Sequence, residues 1–291
     1  CMGLKIVAKF GGTTLAGGGR MKHLAYLVDD MARENEVVVV VSAMDGVTDR
    51  LIELATYAEK GRRGQMDSLL RKIRFQHLKA VKEGISDEKI KVVVERKVKD
   101  ILGELAHVLA GIAQLKELTS RSRDYVLSFG ERLSASIVEG VFKDRGLKVS
   151  CFTGGEAGIV TDSNFGNGRP LMDVSRHLVR ERLTPLVESG VIPIVAGFIA
   201  VDQHGVYTTL GRGGSDYTAT ILGVALGADE VWLWTDVDGL MTADPRVVSS
   251  AHVIESISFP EAVEMALLGA KGMHPRALEP AMEAGLPVRI R

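Results

Sequence analysis

Glycines gather beside basic and hydroxyl side chains at two places in this sequence. Lys9-Phe10-Gly11-Gly12-Thr13-Thr14 closes an apolar run, and Gly17-Gly18-Gly19 follows just before an amphipathic stretch. Glycines at a strand-to-helix turn let backbone amides approach an anion, and the helix N-terminus adds positive potential. A lysine directed into that turn offsets phosphate charge. The order differs from a Walker A loop, where the lysine follows the glycines. The second place is Thr208-Thr209-Leu210-Gly211-Arg212-Gly213-Gly214-Ser215-Asp216. Its arginine carries a planar fork suited to bidentate contact with carboxylate or phosphate. Plainer readings stand beside these. A Gly-Gly turn can be only a turn, Ser215 can cap the helix that follows, and Asp216 can simply favour its dipole. Capping and ligand binding are compatible, and two such turns in one chain are harder to dismiss than one.

Two further segments carry possible chemistry. Thr235-Asp236-Val237-Asp238-Gly239 ends another apolar run and leads to Met241-Thr242-Ala243-Asp244-Pro245-Arg246. Ligands of open α/β sheets bind at the C-terminal ends of strands, although Asp-Val-Asp-Gly also suits a surface turn. Ser128-Phe129-Gly130-Glu131-Arg132 interrupts a helical pattern with glycine. By itself its Glu-Arg pair reads as a surface ion pair of little consequence.

These segments need a frame to hold them. Short apolar runs at Leu4–Phe10, Val37–Ser42, Leu147–Phe152, Val191–Val201, Glu230–Trp234 and Pro287–Ile290 predict strands. Amphipathic stretches at Met21–Arg33, Thr48–Lys60, Arg123–Arg145, Val174–Ser189, Ser215–Leu226, Pro260–Leu268 and Arg276–Ala284 predict helices. That alternation predicts an α/β protein with a mostly parallel sheet covered by helices on both faces. Val206–Thr209 is expected to pair beside Val191–Val201 across a turn at Asp202–Gly205. A helical insert from about Met66 to Thr119, broken near Gly84–Ser86, presents a charged, solvated face. No repeat or linker appears, so one continuous domain over 1–291 is expected.

Composition narrows the function classes. The 291 residues hold 36 basic and 37 acidic side chains, and 46% are hydrophobic. That balance argues against a nucleic-acid or membrane-surface partner, which would bring a basic excess. Cys1 and Cys151 are the two cysteines, too few for a disulfide framework or a four-cysteine zinc site, and a reducing cytoplasm fits. The apolar runs are too short to span a bilayer, and no signal segment is expected. Cys1 precedes Met2 and is given no role.

The motifs together resemble the aspartate kinases of the amino-acid kinase superfamily. Lys-Phe-Gly-Gly-Thr at 9–13, Val-Ser-Ala-Met-Asp-Gly-Val-Thr at 41–48 and Ser-Phe-Gly-Glu-Arg-Leu-Ser at 128–134 carry the likeness. So do Gly-Phe-Ile at 197–199, Thr-Thr-Leu-Gly-Arg-Gly-Gly-Ser-Asp-Tyr at 208–217 and Thr-Asp-Val-Asp-Gly at 235–239. Ala-Asp-Pro-Arg at 243–246 and Gly-Ala-Lys-Gly-Met-His-Pro-Arg at 269–276 complete the set. The resemblance implies a three-layer α/β/α sandwich. An amino-acid-binding lobe would occupy about 1–200 and a nucleotide-binding lobe about 201–291. It implies phosphorylation of the aspartate β-carboxylate by ATP with Mg2+, the entry to lysine, threonine and methionine synthesis.

Site roles follow from the same resemblance. Lys9, oriented by Asp216, resembles the catalytic lysine, and Lys271 supplies a second cation. Thr48, Glu131, Arg212 and Ser215 match aspartate contacts, with Glu131 on the ammonium and Arg212 on the carboxylate. Gly11, Gly12, Gly213, Gly214, Thr235, Asp236, Met241 and Arg246 match phosphate and adenosine contacts. No residue is assigned to a protein-held metal site, and His274 beside Pro275 is read as structural. Asp45 stands where the family more often has glycine or lysine. Typical members continue into ACT regulatory modules, whereas this sequence stops at Arg291. The expectation is therefore no feedback inhibition in cis, with a homodimer and a possible separate regulatory chain.

The implied chemistry is self-consistent. A β-carboxylate, with an ordinary pKa of about 3.9, is already ionised at neutral pH and needs no general base. The obstacle is bringing it to an anionic γ-phosphate, so catalysis reduces to positioning and cation placement. The groups at 9, 212 and 271 are expected to converge on one cleft. The alternatives are an amino-acid kinase with another carboxylate acceptor, a non-catalytic nucleotide- or amino-acid-binding subunit, and a purely structural protein.

Overall fold

A computed structural model of the chain describes residues 3–235, 239–243, 247–267 and 274–291. The first half runs β1 (Lys5–Phe10), α1 (Gly18–Ala32), β2 (Glu36–Val41), α2 (Val47–Glu59), α3 (Arg63–Gly84), α4 (Glu88–Leu115) and α5 (Ser120–Asp144). It continues through β3 (Val149–Thr153), α6 (Gly154–Ala157), β4 (Val160–Thr161), α7 (Met172–Glu188), β5 (Ile192–Ala196), β6 (Ile199–Asp202) and β7 (Tyr207–Thr209). The last part holds α8 (Gly214–Leu226), β8 (Glu230–Trp234), α9 (Phe259–Leu267), α10 (Pro275–Ala284) and β9 (Val288–Ile290).

Six strands in the order β3-β5-β2-β1-β8-β9 form a parallel sheet. Strand alternation sorts its side chains into two cores. Ile6, Ala8, Phe10, Val37, Val39 and Val41 face the helical layer of α1–α5. Val7, Val38, Val40, Val195, Val231 and Leu233 face α7, α8 and α10. Both faces are covered, which is why β2 reads as an uninterrupted valine run. Each fully buried valine contributes about 1.5–3 kcal/mol of apolar transfer. The three-layer α/β/α arrangement expected from the sequence is what forms.

Three sequence expectations need correction. The run 191–201 is two strands, not one. The chain leaves the main sheet after Ala196, and β6 joins a small sheet, β4-β6-β7, where it pairs antiparallel with β7. The break is at Gly197-Phe198, where Phe198 has φ +65. A non-glycine residue there costs about 1–3 kcal/mol and persists only where its surroundings enforce it. Its N–H donates to Thr218 Oγ1 at 2.9 Å.

Gly130, secondly, does not interrupt a helix, because α5 runs straight through it. A Cβ there would lie 2.9 Å from the Ala43 methyl and 3.3 Å from Leu51. The glycine lets α5 press against the loop after β2, which outweighs its helix cost of roughly 0.5–1 kcal/mol. Thirdly, Glu131-Arg132 is not a surface pair. Glu131 is buried, and Arg132 instead pairs with Glu104 at 2.6 Å and stacks on Phe129. The helical insert breaks where expected, with α3 ending at Gly84 and Asp87 capping α4 through Lys89 and Ile90 N–H.

Candidate active site

The C-terminal ends of β1, β2 and β8 open on a cavity of about 530 Å³. This is the end of a parallel sheet at which ligands bind. β1 brings Lys9, Gly11 and Gly12 to it, and the start of α2 brings Thr48. α5 contributes Glu131, the turn into α8 contributes Arg212 to Asp216, and Thr235 follows β8.

Lys9 Nζ lies 2.7 Å from Asp216 Oδ1, with the side chains only 11% and 13% exposed. Asp216 occupies the first turn of α8, where a carboxylate is favoured by the helix dipole. Gly213 is the N-cap of that helix, at φ +71, with no side-chain cap among the described residues. A Cβ at Gly213 would sit 2.6 Å from His274 Cβ. Ser215 therefore does not act as the cap. It lies inside the helix, buried against the cavity wall. Arg212 is exposed and makes no ion pair among the described residues.

Glu131 is 3% exposed. Its Oε1 accepts the Ala43 N–H at 3.1 Å, and Oε2 has no hydrogen-bond partner among the described residues. Burial pushes the carboxyl up to about 8, with the Ala43 N–H opposing the shift. Three residues on, Ser134 Oγ donates to Ser42 O at 2.6 Å, so α5 also fixes the backbone of the loop it faces. A buried acid with one unused oxygen, lining a cavity, is a receptor for a cation or a hydrogen-bond donor.

The residues singled out from sequence divide three ways. Lys9, Gly11, Gly12, Thr48 and Glu131 share the cavity lining with Arg212, Gly213, Gly214, Ser215, Asp216 and Thr235. Met241 does not reach it. That residue is half-buried and bridges to Val253. Asp236, Arg246 and Lys271 lie outside the described residues. Sequence reasoning missed Ala43, Phe198 and Trp234, which line the same cavity. Phe198 is there because of its left-handed backbone, which no side-chain pattern announces. A larger cavity of about 740 Å³ opens beside Leu240, Ile257 and Phe259 and shares Trp234 with the first. None of Lys9, Asp216 or Glu131 lines it, so the candidate chemistry sits in the smaller one.

Among the described residues no group of three or more His, Cys, Asp or Glu could hold a metal ion. A magnesium ion arriving on nucleotide phosphates needs only one or two protein carboxylates. No helix among the described residues is long and apolar enough to cross a membrane.

Comparison with known proteins agrees with this architecture. The profile of the amino acid kinase family matches residues 5–291. Aspartokinase 1, chloroplastic, of Arabidopsis thaliana is 37% identical over 294 residues, covering 99% of this chain and 50% of that protein. Lysine-sensitive aspartokinase 3 of Escherichia coli K12 is 37% identical over 285 residues, 98% of this chain and 61% of the relative. The crystal structure of E. coli aspartokinase III in complex with aspartate and ADP superposes with a TM-score of 0.89 at 34% identity, covering 98% of this chain and 61% of that one. The chain thus spans about half to three-fifths of the length of these relatives. On the profile match over nearly its whole length, together with the parallel sheet and its flanking helical layers, the chain belongs to the amino acid kinase family.

Proposed function

We propose that the chain transfers the γ-phosphoryl group of ATP to the β-carboxylate of L-aspartate, giving 4-phospho-L-aspartate and ADP. One observation carries the reading: a buried Glu131 with an unused oxygen lines the same cavity as the Lys9–Asp216 pair and the exposed Arg212. An α-amino acid presents an ammonium and a carboxylate, and Glu131 and Arg212 are their complements. A third charged group, the side-chain carboxylate, then turns toward Lys9. The similar E. coli enzyme, crystallised with aspartate and ADP, supports the same assignment.

In the proposed step a β-carboxylate oxygen attacks the γ-phosphorus as the bond to the β-phosphate oxygen breaks. ADP leaves with that electron pair, and no proton is consumed. Two unit charges about 4 Å apart repel by about 4 kcal/mol at an effective dielectric near 20. Lys9 opposes that repulsion from a fixed position, since Asp216 holds its ammonium and spares reorganisation during transfer. The N-terminus of α8, with Gly213 and Gly214, and the Gly11-Gly12 turn offer backbone N–H groups to the phosphates. Thr48 and Ser215 contact the amino acid. Thr235, with Asp236 and Arg246, contacts the nucleotide, and Mg2+ arriving on that nucleotide would draw charge from its phosphates. Lys271 adds a second cation. The amino acid is held mainly by the part before residue 200 and the nucleotide by the part after it.

ADP release measured over a panel of acceptors (aspartate, glutamate, aspartate with its α-amine or α-carboxylate blocked) tests this. Turnover with aspartate, lost on blocking either α-group, is the expected result. Turnover only with another acceptor, or ATP binding without turnover on any, overturns it.

A further inference from the structure

Asp124 is 1% exposed and has no ion pair among the described residues. Such a carboxylate is expensive to bury unless its oxygens are well used. Its Oδ2 accepts the N–H groups of Gly166 and Thr209, each at 2.8 Å, and its Oδ1 accepts from Thr209 Oγ1 at 2.9 Å. The Thr209 carbonyl in turn accepts the Gly168 N–H at 2.8 Å. Thr209 ends β7 and stands three residues before Arg212. On the other side, Asp124 shares a face of α5 with Glu131, seven residues or about 10 Å along the axis. One rigid helix therefore both delivers Glu131 and pins the strand end that leads into the Arg212 turn.

We infer that Asp124 is a positioning residue for the amino-acid end of the site, setting the spacing between Glu131 and Arg212. The inference rests on the reading that those two side chains take the ammonium and carboxylate of the acceptor. Both groups hang on a single Cα, so the receptor tolerates little error. Recognition groups need to be held within about 0.5 Å by residues that are themselves locked. Of the proposed nucleotide contacts, Gly213 and Gly214 follow the same turn, whereas Gly11, Gly12 and Thr235 stand at the ends of β1 and β8, to which Asp124 makes no hydrogen bond among the described residues. An effect far larger on aspartate than on ATP therefore separates positioning from a general structural role.

The test is steady-state kinetics of three variants alongside wild type, with melting temperature recorded for each. D124A is expected to raise KM for aspartate at least tenfold while KM for ATP stays within twofold. D124N is expected to stay within threefold of wild type on every constant. Its amide oxygen can accept both N–H groups, while its amino group donates to Thr209 Oγ1. T209V loses only the hydroxyl bond and is expected to raise KM for aspartate about threefold. A folded D124A that moves both KM values alike, or neither, overturns the inference. If D124A does not fold, an unchanged KM for aspartate in T209V overturns it. Wild type inactive on aspartate sinks the functional reading itself and this inference with it, a pattern distinct from an active wild type with an unselective D124A.

Discussion

Glu131 and His77 are both buried side chains of the helical layer, and the same physics treats them in opposite ways. His77 is 0% exposed in α3. Its Nδ1–H donates to Ile73 O at 2.7 Å, and its Nε2 has no partner among the described residues. Burial lowers its pKa from the ordinary 6.5 to about 4, whereas burial raises Glu131 to about 8. In each case the neutral form wins. The difference is in what faces the unused atom. His77 lines neither of the two cavities described above, and burial keeps its ring neutral. Glu131 lines a cavity shared with Lys9 and Arg212. An unpartnered buried group marks a site only when space for a ligand lies in front of it.

The sharpest test of this contrast removes the cation that answers the γ-phosphate. Lys9→Ala is expected to lower kcat by at least a thousandfold with the circular dichroism spectrum unchanged. Near-normal turnover would remove Lys9 from the mechanism and leave the cavity without its proposed chemistry.

Glu131→Gln comes next, with KM for aspartate expected to rise about a hundredfold and KM for ATP held. The free carboxyl is protonated at pH 7 and must ionise to meet an ammonium, so aspartate binding releases a proton. Affinity for aspartate is expected to improve up to about tenfold per pH unit between pH 6 and 8, and Glu131→Gln is expected to flatten that slope. Calorimetry in buffers of different ionisation enthalpy counts the proton directly. A pH-independent affinity in the wild type would show that aspartate displaces no proton from Glu131, and an unchanged KM for aspartate in Glu131→Gln would remove it as the ammonium receptor.

Stability without ligand gives the smaller and opposite pair of effects. The folded state binds an extra proton at Glu131 between about pH 4.5 and 8, so that contribution is complete below pH 4.5 and is lost as pH rises through 8. At His77 the unfolded chain binds the extra proton between about pH 4 and 6.5. That contribution is complete above 6.5 and is lost as pH falls toward 4, by up to about 3 kcal/mol. His77→Leu is expected to remove most of the acid sensitivity of the melting temperature between pH 6.5 and 4.5 while leaving KM for aspartate untouched. A change in that KM would mean the two buried groups are not independent.

Glycine shows where legibility in the sequence stopped. Gly17-Gly18-Gly19 and Gly213-Gly214 each precede or open a helix, and both invite a phosphate reading. Yet a Cβ at Gly18 would fall 2.4 Å from Ala80 O and 2.4 Å from Gly84 N, so α1 needs glycine to pass the end of α3. Gly213 and Gly214 are packed almost as tightly, a Cβ on either falling 2.6 Å from His274 or Phe198, but they line the cavity as well. Composition and order are alike in the two stretches, and only the surface opposite each one separates packing from ligand access.

The alternation of apolar runs and amphipathic stretches was enough to specify a parallel sheet between helical layers. Strand and helix periodicity are properties of neighbouring residues, and each element's buried face is written in its own segment. Lys9 with its glycines and the stretch from Thr208 to Asp216 could likewise be picked out by type, since glycine, arginine and paired hydroxyls at strand ends are local features, whereas Thr48 and Glu131 came only from the family resemblance. That Gly130 is a helix contact, that Phe198 turns the chain into a second sheet, that Asp124 reaches Thr209, and that burial pushes the Glu131 carboxyl upward were decided by tertiary structure alone. Each depends on groups distant in sequence meeting away from water, where solvation and shape set the charge state, and no local pattern encodes that meeting.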